Sequence, residues 1–236
     1  MAGPVHSSEE IRESTEANRP EAQPEVEATL DQSGRPLGPR ALQTRQRLLE
    51  STESLLGEQS VRDLSVVDIA RRAGTSPATF YQYFKDVAEA TLCLAQQAAS
   101  EMPAVVRIID RPWEGEQGLE TARALVDAFV RHWDAHRAVL MVRNLAAEEG
   151  DRRFQLVRRD ALAPVLDRLA TQVEESQKAG RVDPVLQPQA AAAALSSILE
   201  RLAAYHRELE PRGITREDLV ETCARILVQT VRGNVS

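Results

Sequence analysis

Residues 65–84, SVVDIARRAGTSPATFYQYF, decide the fold of this 236-residue chain, because they predict two short helices joined by a tight turn. Ser65 and Asp68 can form a capping box. In it the Ser65 hydroxyl accepts a hydrogen bond from the Asp68 amide, and the Asp68 carboxylate reaches back to the Ser65 amide. Gly74 ends the first helix where a left-handed residue is needed. The apolar stripe of this helix is Val66, Ile69, Ala70 and Ala73, with Arg71 and Arg72 on the outward side.

The second helix of the pair follows Ser76, which is suited to the N-cap position because Pro77 favours the first helical position. We predict a helix from Pro77 to Tyr83 that buries Phe80 and Phe84. This arrangement is a helix-turn-helix, whose second helix enters the major groove of DNA. The pattern alone also fits a helical hairpin that binds no nucleic acid. The outward side chains are Thr79, Gln82 and Tyr83.

The wider stretch from Leu42 to Phe84 favours DNA binding. It runs through LQTRQRLLES and SLLGEQSVRDL into the helix-turn-helix. This order resembles the TetR family of one-component bacterial regulators, whose N-terminal domain follows T-R-x-x-I-L-x-x-A and then T-x-x-x-I-A-x-x-A-G-V-S-x-x-T-x-Y-x-Y-F. The resemblance implies an all-α protein with a three-helix DNA-binding domain and a larger helical domain that binds a small molecule and dimerises.

The resemblance also implies which residues would face the DNA bases. These are Pro77, Ala78 and Gln82. A glutamine can bind adenine through two hydrogen bonds, and an alanine can contact a thymine methyl group. Tyr81 either packs across the domain or faces a base, and the sequence leaves both alternatives open.

The remaining DNA-binding positions that the resemblance implies lie mainly along the phosphate backbone, at helix starts and hydroxyl groups. Many relatives carry a lysine three residues after the phenylalanine that matches Phe84. Here that position is Val87, so Lys85 is the candidate replacement. For the residues that start the first helix, an ordinary solvated surface is the alternative. The full set is Thr44, Arg45, Ser65, Ser76, Thr79, Tyr83 and Lys85.

The net charge of −7 predicts little non-specific affinity for DNA. Residues 1–37 hold eight carboxylates and three arginines, a net charge of −5, whereas residues 38–86 carry a net charge of +1. Residues 1–38 are rich in Glu, Pro and Ser, and we predict that they form a disordered acidic tail. Only Arg35 and Arg40, at its end, could touch a phosphate.

Targeting signals and cysteine usage indicate a cytoplasmic protein. No apolar run approaches the roughly 20 residues that span a bilayer. The first residues, MAGPVHSSEEIRES, lack the basic and apolar regions of a secretory signal. Cys93 and Cys223 are isolated in apolar helical patterns, which favours reduced thiols packed in a core.

Helical patterns continue along the whole chain, and no strand pattern interrupts them, so the predicted fold is all-α. We place the DNA-binding domain at residues 39–86 and the ligand-binding and dimerisation domain at residues 87–236. The first helix runs from about Pro39 to Leu56 and ends at Gly57, with Leu42, Leu48, Leu49, Thr52, Leu55 and Leu56 inside. A fourth helix, 86–107, should kink or end at Pro103. After a loop at 110–118, helices are predicted at 119–136, 138–149, 151–179, 189–209 and 215–231.

The second domain has few aromatic residues. Together with one methionine they could line an apolar ligand cavity, although core packing is the better interpretation for any one of them. No basic cluster selects an anionic ligand, so we expect a small apolar effector. The last two helices, about 189–209 and 215–231, should pair with those of a second copy, because the alanine-rich run needs a close partner. Packing within the chain is the alternative. The candidate cavity residues are Trp113, Phe129, Trp133, Met141 and Phe154.

His132 and His136 are spaced four residues apart, as metal ligands on a helix can be. Asp134 would project away from both, and the sequence reveals no third ligand, so we expect no metal and no other cofactor. No catalytic constellation is recognisable either. The sequence therefore predicts a dimeric, ligand-responsive repressor of a pseudo-palindromic operator in double-stranded DNA. The alternatives are a constitutive DNA-binding regulator and, third, an enzyme built on the helical domain.

Overall fold

The computed structural model describes residues 30–233. Helices dominate this part of the chain, and its only β-pairing is an isolated bridge between Leu30 and Pro36, so the all-α class is confirmed. Two short 3-10 turns lie between the last two helices. Within the same residues, no helix combines the length and the apolar character needed to cross a membrane. The helices are α1 Pro39–Glu58, α2 Val66–Arg72, α3 Pro77–Tyr83, α4 Val87–Ile109, α5 Gly115–Glu148, α6 Arg152–Lys178, α7 Pro188–Tyr205 and α8 Arg216–Arg232.

The helix-turn-helix forms as its capping residues predict. The Ser65 hydroxyl accepts from the Asp68 amide at 3.2 Å, and Gly74 adopts a φ of +65° at the turn. The predicted return bond, in which the Ser65 amide donates to the Asp68 carboxylate, makes the smallest contribution to lowering the pKa of Asp68. The main partners of that carboxylate are the Ser65 hydroxyl, which donates a hydrogen bond to it, and Arg71, which forms an ion pair with it. These groups, the Ser65 hydroxyl first, hold the pKa of Asp68 below its usual value.

Several helix boundaries predicted in the first half of the chain are wrong, because Gly57 and Pro103 lie inside their helices and do not end them. Gly57 lies inside α1, which continues to Glu58, and Leu42 is exposed at 42% instead of facing the core. Helix α4 passes through Pro103 and continues to Ile109. The buried residues on both sides of this proline, Met102 and Val105, hold the helix against the core.

The two helices predicted at 119–136 and 138–149 are one helix, α5, which is bent at His136. The backbone of His136 departs from helical geometry, with φ −121° and ψ 21°. The preceding loop is shorter than predicted, because α5 begins at Gly115. The 138–149 segment therefore continues the long helix of the second domain after the bend.

Two hydrophobic clusters hold the chain together, and one of them crosses the domain boundary. The larger cluster is formed by α4 to α8 and includes Trp113 and Phe129. The smaller cluster surrounds Phe80 and Phe84 of the helix-turn-helix. It also contains Val139, Ala147 and Phe154, which come from the second half of α5 and the start of α6. The second domain thus completes the core of the first.

A buried ionic network ties α5, α6 and α7 together. The Glu200 carboxylate accepts from Arg143 at 2.9 Å and from Arg158 at 3.0 Å. Asn144 completes the network by accepting from Arg143 Nε at 3.0 Å. Arg143 is only 3% exposed, and burial lowers its pKa to about 10, so it stays protonated near pH 7. Its charge is neutralised by Glu200.

Two glycines inside helices predict opposite responses to alanine. A Cβ at Gly118 would overlap the backbone carbonyl of Trp113, whereas a Cβ at Gly57 meets no atom within 4 Å. We expect Gly118→Ala to lower the free energy of unfolding by about 1–3 kcal/mol through overpacking. Gly57→Ala should raise it by up to about 1 kcal/mol through helix propensity. Urea denaturation followed by circular dichroism measures both, and equal effects would contradict the packing argument.

Candidate nucleic-acid interface and the arginine-lined cavity

The predicted base-facing residues lie on the open surface of α3. Pro77, Ala78 and Gln82 are all exposed, and the four-residue spacing of Ala78 and Gln82 places them on one face of the helix. Phe80 and Phe84 are fully buried on the opposite side, as predicted. The helix therefore presents a short row of small and amide side chains to solvent, and its opposite side is held in the core by the two phenylalanines.

Tyr81 turns away from this row. Its ring is 54% exposed and meets the edge of Phe80 at 5.8 Å between centroids. It borders a shallow cavity that also contacts Val66 and Phe154. The geometry favours the packing alternative for Tyr81, because most of the residues that line this cavity belong to the second domain.

The hydroxyl groups predicted near phosphates also hold the start of α3. The Ser76 hydroxyl accepts from the Thr79 amide at 3.2 Å and lies 3.0 Å from the Thr79 hydroxyl. Tyr83 is half-buried beside them, and Lys85 is exposed one residue beyond Phe84. Val87 begins α4 after Asp86, which caps that helix by accepting from the Glu89 amide at 2.8 Å.

At the start of α1, the arginine that reaches solvent is not the predicted one. Arg45 stacks over the Phe84 ring at 5.1 Å and donates to the Cys93 sulfur at 3.3 Å, so its guanidinium is turned inward. Arg47 is exposed instead, and it donates to the Thr44 hydroxyl at 3.5 Å. Arg40 lies on the same side, since the Thr44 hydroxyl donates to its carbonyl at 3.1 Å. The spacing of residues 40, 44 and 47 is helical and could have identified Arg47.

Residues 30–37 are ordered, contrary to the predicted disorder of the tail, whereas residues 1–29 of that tail lie outside the described residues. The Asp31 carboxylate closes a turn by accepting from Ser33 and Arg35. The Gln32 amide donates to the Gln82 carbonyl at 3.0 Å, and its side chain donates to the Tyr83 carbonyl at 3.2 Å. This segment therefore contacts the last turn of the recognition helix, a long-range pairing that local composition does not reveal.

Four of the five predicted cavity residues, all except Met141, belong to the hydrophobic clusters. Trp113 and Phe129 pack in the larger cluster, and Phe154 packs against the helix-turn-helix. Trp133 and Met141 do line a cavity of about 950 Å³. The structure thus separates the aromatic residues that sequence reasoning grouped together.

This cavity, which we call the arginine-lined cavity, has a basic wall. Its lining carries four arginines and two carboxylates, Glu148 and Glu200. Arg201 stacks over the Tyr205 ring at 3.8 Å and makes no ion pair within residues 30–233. Sequence analysis missed this cluster because its members come from three separate segments of the chain. The four arginines are Arg137, Arg158, Arg201 and Arg207.

The arginine-lined cavity also lies between the two domains. One wall is the end of α1 and the following loop, including Leu56, Ser60 and Val61. The opposite wall is the second half of α5 together with α7. An ion pair between Arg62 and Glu149, at 2.6 Å, joins the same two parts of the chain nearby. A molecule in the cavity would touch both domains.

The bend of α5 lies beside this junction. His136 Nε2 is 2.9 Å from a Glu101 oxygen of α4, and His136 Nδ1 is 3.9 Å from Glu53 of α1. His132 is buried one turn earlier, where burial and the nearby His136 lower its pKa to about 4. Asp134 points away from both histidines toward His206 and Arg207, as predicted.

Solved structures that share this fold include bacterial regulators. FadR from Bacillus halodurans, a fatty acid degradation regulator, is 18% identical with a TM-score of 0.59, over 84% of this chain and 97% of that one. FadR from Bacillus subtilis, solved in complex with stearoyl-CoA, is 15% identical with a TM-score of 0.58, over 80% and 99%. GusR from Salmonella enterica is 16% identical with a TM-score of 0.58, over 81% and 96%.

Family models match both domains. Residues 48–89 match the model of bacterial regulatory proteins of the tetR family. Residues 105–235, more than half of the chain, match the model of a tetracyclin repressor-like C-terminal domain. Together with the exposed recognition helix and the all-α architecture, these matches show that the chain belongs to the TetR family of transcriptional regulators.

Proposed function

We propose that this protein is a cytoplasmic, ligand-responsive repressor that binds a pseudo-palindromic operator as a homodimer and is released by a small amphipathic anion. One observation carries the proposal. The arginine-lined cavity is walled by α1 and its loop on one side and by α5 and α7 on the other. A ligand that prefers one arrangement of these walls would shift the orientation of the recognition helix.

The expected DNA contacts divide into base and phosphate contacts. Pro77, Ala78 and Gln82 would face base edges, since they form the exposed row of α3. The phosphate-facing side would include Tyr83 and Lys85. The exposed Arg40 and Arg47 and the half-buried Thr44 would add contacts from α1. Arg45 would support them by holding Phe84.

The composition of the cavity changes the expected effector from an apolar molecule to an amphipathic anion. Arg201 offers a positive charge that has no ion-pair partner within residues 30–233, whereas the other three arginines are paired with carboxylates. Trp133 and Met141 add apolar atoms to the lining. A volume of about 950 Å³ suits a small-molecule ligand. The similar regulator from Bacillus subtilis was solved with stearoyl-CoA, which has both chemical characters. Because the likeness to that regulator concerns the fold alone, the choice of an anionic effector rests on the arginines of the cavity.

The homodimer would form through α7 and α8. The outer side of α7 presents small exposed residues that allow a second helix to approach closely, and Ile226 of α8 is 38% exposed. Two recognition helices about 34 Å apart could then bind successive major grooves. The small residues are Ala190, Ala193 and Ala194.

Gln82→Ala tests the base contact. We expect it to relax the preference at one operator position and to cost roughly 1–3 kcal/mol, because a bidentate hydrogen bond to a base is lost. Binding to a library of operator variants measures this effect. Tyr83→Phe is the contrast, since loss of a phosphate contact should weaken all sequences together. Equal losses on every sequence for Gln82→Ala would contradict its assignment.

A gel-shift titration on the upstream DNA of the protein's own gene tests the function. We expect a salt-sensitive, specific shift that stearoyl-CoA or stearate releases and that methyl stearate releases poorly. Arg201→Gln should weaken the response to the anions about tenfold, by loss of one charge-assisted contact. Arg159→Gln, on the exposed side of α6 and outside the cavity lining, is the matched control.

The other outcomes of this titration identify the alternatives. A specific shift that no anion or apolar compound changes indicates a constitutive regulator. A complex released equally by the anions and the ester would restore the apolar effector. The absence of any specific shift on upstream or genomic fragments would contradict the regulator itself and favour an enzyme.

Ala194→Arg tests the dimer. A long charged side chain on the exposed face of α7 should separate the two copies, giving a monomer in analytical ultracentrifugation and loss of the specific gel shift. Ala104→Arg, on the exposed side of α4, is the matched control and should leave both unchanged. A dimer that persists in Ala194→Arg would place the interface elsewhere.

A further inference from the structure

The fold brings a third potential metal ligand to the two histidines of α5. The sequence offers His132 and His136 one helical turn apart and no evident partner. In the folded chain, Glu101 of α4 lies against both, 31 residues before the first histidine. The histidine nitrogens and one carboxylate oxygen all lie within 4.8 Å of one another. Two imidazoles and one carboxylate are a common ligand set for zinc and related ions.

We propose that Glu101, His132 and His136 bind one divalent first-row transition-metal ion, with Zn²⁺ as the reference ion. The inference is independent of the proposed function, since these three residues lie outside the DNA-facing surface and outside the arginine-lined cavity. The ion would connect α4 to α5 at the bend.

The distances suit a tetrahedral ion after small side-chain movements. One Glu101 oxygen is 2.9 Å from His136 Nε2 and 3.9 Å from His132 Nδ1. Ligand atoms around a tetrahedral Zn²⁺ with bonds of about 2.1 Å are separated by roughly 3.4 Å, between these two values. The two imidazole rings are 5.1 Å apart between centroids and tilted by 56°, so that neither covers the other.

The bend of α5 contributes to this geometry. His136 has a non-helical backbone, with φ −121° and ψ 21°, at the point where its ring reaches Glu101. Its other nitrogen, Nδ1, is 3.9 Å from Glu53 of α1. A carboxylate on the far side of a ligating imidazole favours the tautomer that presents Nε2 to the metal.

Access and local charge also permit a cation. Glu101 has an exposed side chain, and an open cavity of about 620 Å³ reaches it and His132 from solvent. Two arginines line this cavity: Arg131 is paired with Asp127 at 2.8 Å, and Arg107 lies on α4 six residues after Glu101. Arg143, which lies farther inside, is paired with Glu200. Glu53 and Glu101 together supply two negative charges to the site.

Zn²⁺ titration of the full chain, in competition with a chromophoric chelator, tests the site. We expect one ion per chain. Glu101→Gln and His136→Gln should each weaken binding by at least about 10-fold to 100-fold, since even residues behind a metal's ligands cost this much. Glu101 is exposed, so its substitution preserves the fold, which circular dichroism verifies. Co²⁺ should give a visible absorption band that both variants lose.

Matched controls separate this site from other donors. Glu120→Gln changes an exposed glutamate on α5, the helix that carries the two histidines, and should leave Zn²⁺ affinity unchanged. His6→Gln and Cys93→Ser remove alternative ligands and should also leave it unchanged. The proposal is overturned if Zn²⁺, Co²⁺ and Ni²⁺ all fail to saturate the protein, or if binding survives either substitution in the site. A simple hydrogen bond between Glu101 and His136 would give the first of these results.

Discussion

The structure depends on a hydrophobic core that the DNA-binding domain cannot complete alone. A unit as short as residues 39–83 buries a small fraction of its surface, so its stability is marginal by itself. Phe80 and Phe84 are fully buried in a cluster that Val139 and Phe154 of the second domain share. The position of the recognition helix is therefore fixed by side chains from the second domain. Burial of apolar surface, at about 25 cal/mol per Å², makes this connection costly to break.

Buried charge gives the second domain a specific arrangement that apolar packing would not enforce. Glu200 accepts from Arg143 and Arg158, so α7 is fixed against α5 and α6 in one register. Such networks contribute little net stability, because desolvation offsets the attraction, but a broken one leaves an unpaired buried charge. Glu200 and Arg158 also form part of the arginine-lined cavity. The same residues thus define both the packing of the helices and the polar wall of the cavity.

Local sequence signals predicted the local structure. The caps at Ser65 and Ser76, the left-handed Gly74 and the buried Phe80 follow from residues within one or two turns, and all are present. A few errors are local, such as the helix end predicted at Gly57. The errors that affect the functional sites concern interactions between distant segments. Arg45 turns toward Phe84 because tertiary packing offers an aromatic face that periodicity does not show.

The residues that form the cavity and the histidine cluster could not be predicted from the sequence, because they also come from distant segments of the chain. Aromatic content could not distinguish Trp133, which lines the cavity, from Trp113, which is enclosed in the core. The arginines of the cavity are separated by long stretches of chain, and Glu101 reaches the histidines of α5 only through the packing of α4 on α5. Sequence identified the DNA-facing helix because its residues are contiguous, whereas both other sites are assembled by the fold.

The bend at His136 divides α5 between the two cores, and this division has a mechanical consequence. Before the bend, Phe129 and Trp133 pack in the core of the second domain, and after it Val139 and Ala147 pack under the helix-turn-helix. The non-helical backbone of His136 lies at the point where α5 passes from one core to the other. The segment after the bend also supplies Arg137 and Met141 to the arginine-lined cavity. A ligand that displaced this segment would therefore also displace the side chains that pack under the recognition helix, without disturbing the larger core.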